Sequence, residues 1–120
     1  MWRRGAALLC ALVVGSAPCA AGDACYAAGD YGAVAEGRLI ERDDAIILKL
    51  PRPICLSGAE DSDNVKESAE IHVYSDDSVV EETLRSLVGK DVHLRGSLMG
   101  AITQHHKAPV VMRVREADEI

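Results

Sequence analysis

Residues 87–114 read LVGKDVHLRGSLMGAITQHHKAPVVMRV, two alternating runs joined by a polar segment. In the first run Val92, Leu94, Gly96 and Leu98 share one face while His93, Arg95 and Ser97 take the other. In the second, Val110, Met112 and Val114 oppose Arg113 and Arg115. A period of two marks a strand with one buried face. The spacing therefore predicts strands over 91–99 and 109–116, paired as a hairpin whose tip holds Gln104, His105, His106 and Lys107.

Upstream of this hairpin, Ser78-x-x-Glu81 has the spacing of a capping box, in which each side chain satisfies a free amide at a helix start. Val80, Leu84, Leu87 and Val88 follow at helical spacing, and Gly89 stands where a left-handed C-cap is wanted. Segment 69–75 alternates, with Ile71 and Val73 inward and Glu70, His72 and Tyr74 outward. Segment 57–68, SGAEDSDNVKES, is acidic and aperiodic and reads as a solvated loop. It lacks the glycine and glutamate placement of a twelve-residue calcium loop. Segment 45–50 puts Ile46, Leu48 and Leu50 on one face, and Pro51 and Pro53 are expected to end that strand by removing ladder donors. Segment 33–41 is the first strand, with Gly37 at a bend or bulge, and Arg42-Asp43-Asp44 makes the turn between them.

Three strands, a helix and a two-strand hairpin is the order of an OB-fold. The expected class is all-β with one short helix, an OB-fold-like five-stranded Greek-key barrel. Gly37 and Gly96 suit the sharp coiling of a small barrel. An open α+β antiparallel sheet fits the same pattern and is the alternative.

The first 22 residues read as a separate segment. Arg3 and Arg4 precede an apolar run over 5–15, and small residues follow over 16–22, the order of a secretory signal peptide. The run is shorter than the roughly 20 apolar residues that span a bilayer. Residues 23–120 then form a single OB-like domain in the periplasm or another extracytoplasmic space. The rival reading, a lipoprotein anchored through Cys19, lacks the leucine-like residue expected ahead of the cysteine. Losing Arg3 and Arg4 with no acid makes the formal charge two units more negative than −6. Such a balance repels phosphate backbones and argues against nucleic acid and anionic lipid as partners. With no Phe, and Trp2 in the leader, only Tyr26, Tyr31 and Tyr74 remain for stacking.

Cys10 and Cys19 also fall in the leader, which leaves Cys25 and Cys55. An even pair in a small exported domain reads as one disulfide; two buried thiols are the alternative.

Leu87-Val88-Gly89-Lys90-Asp91-Val92, then Gly96-Ser97-Leu98, then the run from Ala101 through His105-His106 to Pro109-Val110 form a distinctive series. It resembles the bacterial exported family catalogued as domain of unknown function 4431. That family carries a leucine-glycine-lysine step, a glycine-x-leucine step and a threonine-glycine-histidine-histidine-histidine-threonine-proline run. Cys25-Tyr26 and Pro53-Ile54-Cys55 are similar to its two cysteine neighbourhoods. The present chain departs from it at Gln104, Lys107 and Ala108, so a role needing three consecutive histidines does not carry over. The resemblance implies export, a disulfide and a small β domain, and it supplies no activity.

The histidine segment is therefore weighed on its chemistry. A zinc or copper site would start from His105 and His106, but metal sites gather three or four ligands and adjacent residues tend to point apart. His93 is expected to face the region of Arg115, far from the tip. No serine sits in a nucleophile turn and no acid is placed to complete a triad, so no catalytic residue is assigned and the chain is not read as an enzyme. Two readings of the tip remain. It is either a polar hairpin end packed against its own sheet, or a recognition loop of Thr103, Gln104, His105, His106, Lys107 and Pro109. The second points to an exported binding or interaction module, such as an inhibitor, an immunity protein or an envelope accessory. Its partner would be a protein or an anionic envelope ligand, with no resident cofactor; a periplasmic metal-binding protein is the alternative.

Overall fold

A computed structural model of the protein describes residues 25–120. The leader expected over 1–22 lies outside those residues. Strand β1 is Tyr26–Ala27, β2 Ala33–Arg42, β3 Ala45–Ser57 and β4 Val65–Tyr74. Helix α1 follows at Ser78–Ser86, then β5 at Asp91–Gly100 and β6 at Val110–Glu119.

Strands β2 to β6 close into a ring. β2 pairs antiparallel with β3, and β3 with β4. β4 lies parallel to β6, β6 antiparallel to β5, and β5 returns antiparallel to β2. This is the five-stranded Greek-key barrel expected from the element order, closed rather than open. The one parallel pairing within the ring brings His72 opposite Val111 and Tyr74 opposite Arg113. β1 stands outside the ring, paired with Leu56 and Ser57 of β3 and tied to that strand by the Cys25–Cys55 disulfide. Tyr26 adds a bond from its hydroxyl to the Val34 carbonyl at 3.1 Å.

The inward faces are those the alternation defines. Leu39, Leu48, Ile71, Val92, Leu94, Val110 and Met112 are fully buried in one core, joined by Leu84 from α1. Burying a side chain of this kind contributes about 1.5–3 kcal/mol. Gly37 and Gly96 sit where a neighbouring strand's backbone comes close: a Cβ at Gly37 would collide with the Lys49 carbonyl, and one at Gly96 with that of Arg113.

Several local expectations are corrected. Pro51 and Pro53 do not end β3, which runs on to Ser57. Between Lys49 and Ile54 the register shifts, so β3 gains residues that β4 does not match, and both prolines fall in this unpaired stretch. No ladder bond is lost to them. The loop expected over 57–68 is shorter, because β4 begins at Val65. It is also docked rather than free. Asp63 accepts the Gly100 N–H at 2.9 Å, and the Asn64 side chain bridges Gly58 and Glu60.

The helix is capped one residue earlier than the Ser78–Glu81 spacing suggests. Asp77 is the N-cap, accepting the N–H groups of Val79 and Val80, and Glu81 accepts from Ser75 at 2.9 Å. Ser78 is already helical, which leaves the capping position to Asp77. At the other end the C-cap is Leu87 and not Gly89, which lies two residues further on with φ 92° and bonds the Leu39 carbonyl through its N–H at 2.7 Å. The helix end is thereby stitched to β2.

Candidate functional site

Residues 101–109 connect β5 to β6. The hairpin closes on Gly100 opposite Val110, followed by a bond from the Ala101 N–H to the Pro109 carbonyl at 3.0 Å. Beyond that point the loop folds back over the outside of the barrel. Ala108 is buried there against Ala45 and Ile47 of β3, with Ile40 of β2 packed alongside. Ile47 points away from the barrel interior and is nevertheless wholly buried, as is Val111 on the outer face of β6. A second, external apolar cluster has formed under the loop, and the loop is part of it.

Four short bonds set the loop's shape. The His106 N–H donates to the Thr103 carbonyl at 3.1 Å, and the His105 N–H to Thr103 Oγ1 at 3.2 Å. The Ile102 N–H donates to His106 Nδ1 and the Lys107 N–H to His72 Nδ1, each at 3.1 Å. The rings of His72 and His106 meet edge to face with centroids 5.8 Å apart. The outcome for the expected contact residues is a division of labour. Thr103, Gln104, His105, Lys107 and Pro109 face solvent, while His106 is half-buried and holds the loop together; Ile102, outside the expected set, is exposed beside them.

His72 lies outside the expected contact set, although the alternation of its strand puts it on the outward face. Its position here follows from the parallel β4–β6 pairing, which sets it beside Val111 at the foot of the loop. Burial, then the nearby His106 and Lys107, hold its pKa below the ordinary histidine value, with Glu81 opposing. An Nδ1 that accepts a backbone N–H belongs to a ring whose proton is on Nε2. The closed loop therefore employs neutral His72 and neutral His106, with neither ring nitrogen of either residue holding a lone pair for a metal ion. Among the described residues no three His, Cys, Asp or Glu side chains gather closely enough to hold one.

His93 departs from expectation. It lies opposite Asp118, not Arg115, and bonds Glu36 of β2 at 3.0 Å. Arg115 is the extra residue of a bulge where Arg95 pairs with Glu116 and Gly96 with Val114, which displaces the register below it.

Set against known families, residues 70–118 match the family model described as Domain of unknown function (DUF4431). The resemblance read from the sequence holds over this segment, which contains the second half of β4, all of α1 and β5, the histidine loop and nearly all of β6. No curated protein and no solved structure matches the chain. Both His72 and the loop it holds lie within the matched residues. Among the described residues no helix is long and apolar enough to cross a membrane, and the Cys25–Cys55 disulfide is compatible with an oxidising, extracytoplasmic setting.

Proposed function

We propose that the protein is an exported, non-catalytic binding module that presents its β5–β6 loop to a protein or an anionic envelope ligand, in the manner of an inhibitor, an immunity protein or an envelope accessory. The observation that carries this reading is the set of hydrogen bonds that closes the loop. Its backbone is fastened by His72, His106 and Thr103, so the outward set of Ile102, Gln104, His105 and Lys107 stands in one arrangement before any partner arrives. Contact residues fixed in advance lose less entropy on binding. Ile102 is 64% exposed, an apolar anchor among polar neighbours, and Lys107 supplies a cation on a strongly acidic chain.

The test is affinity capture from an envelope extract with the wild type and with Ile102→Ala/His105→Ala/Lys107→Ala. These three side chains make none of the loop's closing bonds, so the variant should melt as the wild type does. Loss of one or more specific partners from the variant is the expected result. Identical partner profiles would remove the loop from the account.

A further inference from the structure

We infer that the β5–β6 loop is an acid-released latch, closed over the barrel's outer face by two neutral histidines and opened when either takes up a proton. As regulation this rests on the reading of the loop as a contact surface; as chemistry it stands on the loop's own hydrogen bonds. His72 Nδ1 and His106 Nδ1 are acceptors, each for one backbone N–H of the same loop. A protonated imidazole has two donors and no acceptor. Adding a proton to either ring thus turns an N–H···N bond into two opposed donors, and the amide of Ile102 or Lys107 is left without its partner. Protonating both places two cations at a ring separation of 5.8 Å with the Lys107 ammonium close by.

The surroundings do little to offset that charge. From the loop, His106 and Lys107 oppose protonation of His72, and from α1 only Glu81 favours it. On the flanking strands His72 lies opposite Ile47 and Val111, both apolar and fully buried. The next outward charges are already engaged: Glu70 with Arg42 and Lys49, and Arg113 with Asp76. The depressed pKa of His72 agrees with this placement. The sign follows. His72 takes up a proton near the ordinary histidine value of 6.5 when the loop is open and only at lower pH when it is closed, so its contribution to closure is complete above 6.5 and is lost progressively below it. Opening would uncover Ile47 and Ala45 and release Ala108 from them. Partner binding at the loop would then depend on pH.

The experiment needs no partner. Backbone amide protection is measured by nuclear magnetic resonance on the wild-type protein between pH 7.5 and 4.5, with correction for the intrinsic pH dependence of exchange. Protection at Ile102 and Lys107 should fall by about tenfold or more through a midpoint below 6.5, while Leu94 and Met112 in the core keep theirs. The control is His72→Asn/His106→Asn, in which each side-chain oxygen stands near the position of Nδ1 and accepts a hydrogen bond but does not titrate. This variant should hold its protection throughout. Unchanged protection of the wild-type loop down to pH 4.5 would overturn the latch, and so would a double variant that opens over the same range as the wild type. Because the readout is the loop itself, a latch that opens in a protein whose captured partners ignore the loop would leave this inference standing and remove the recognition reading.

Discussion

The barrel contains two hairpins that solve the same problem in different ways. Between β2 and β3 the chain reverses in two residues, Asp43 and Asp44, with φ of 51° and 67°. Two successive left-handed residues define a type I′ turn, whose twist matches that of the flanking strands. Between β5 and β6 the reversal takes residues 101–109 and covers a neighbouring face of the barrel. Barrel closure asks only for the first solution. The additional residues of the second are held by side-chain acceptors, two of them histidine nitrogens, and they bury apolar groups that a strand's outer face would otherwise not carry. Ala45 and Ile47 are suited to the long loop and unsuited to a short one.

The most direct way to break the comparison is to make the hairpins alike. Replacing residues 102–109 by Asn-Gly-Thr gives the β5–β6 hairpin a two-residue turn, with threonine supplying the N–H that Pro109 lacks. The barrel should still form, with unchanged core signals by nuclear magnetic resonance. It should lose about 2–4 kcal/mol in urea unfolding, as Ile47 and Ala45 become exposed, and should bind an apolar dye. A variant as stable as the wild type, with no dye binding, would show that the external cluster contributes nothing.

A smaller change removes one fastening. His72→Leu keeps the apolar contact but deletes the acceptor for the Lys107 N–H, at an expected cost of about 1–3 kcal/mol. His72→Asn, which retains an acceptor, should recover most of that loss. Equal destabilisation by both variants would mean that ring packing, and not the hydrogen bond, holds the loop.

The turn hairpin should respond in the opposite direction. Asp44 occupies a left-handed conformation that glycine adopts without a steric penalty, so Asp44→Gly should stabilise by about 0.5–1 kcal/mol, measured as a raised urea midpoint with unchanged slope. The long loop offers no equivalent gain from a single glycine, because its shape depends on side-chain acceptors.

How much of this was legible from the residues follows the same division. Strand alternation, the helix and the inward faces depend on local periodicity, and Val92, Leu94, Leu98, Val110, Met112 and Val114 fall in the core as that periodicity requires. The barrel follows from element order. What local reading missed depends on pairing between distant segments. β3 continues past Pro51 because the prolines lie in an unmatched stretch, which only the β3–β4 register reveals. His72 reaches the loop because β4 runs parallel to β6, and Ile47 is buried because a loop far along the chain comes to rest on it. Within the candidate site, the tip residues were found as a motif, but their roles were not. An exposed contact and a structural acceptor look the same when they are His105 and His106 in a row.

The last and smallest contrast lies in acid. At the turn hairpin, Arg42 donates two hydrogen bonds to Glu70 of β4, at 2.7 and 2.8 Å. Hydrogen bonding to Arg42 lowers the Glu70 pKa from its ordinary 4.5; burial opposes this, and the charges of Arg42 and Lys49 add to it. The unfolded chain then binds the Glu70 proton first as pH falls, so this pair's contribution is intact above 4.5 and lost below it as the folded carboxylate protonates. His72 has its pKa lowered as well, but from 6.5, so its contribution begins to decline about two units earlier. A urea-stability profile against pH should therefore fall in two stages. His72→Asn/His106→Asn should remove the upper stage alone and Glu70→Gln the lower one alone. Both effects are modest, since the Arg42–Glu70 pair is partly solvated and screened. A profile with one stage, unchanged by the histidine pair, would mean that the two hairpins differ in length and not in the chemistry that holds them.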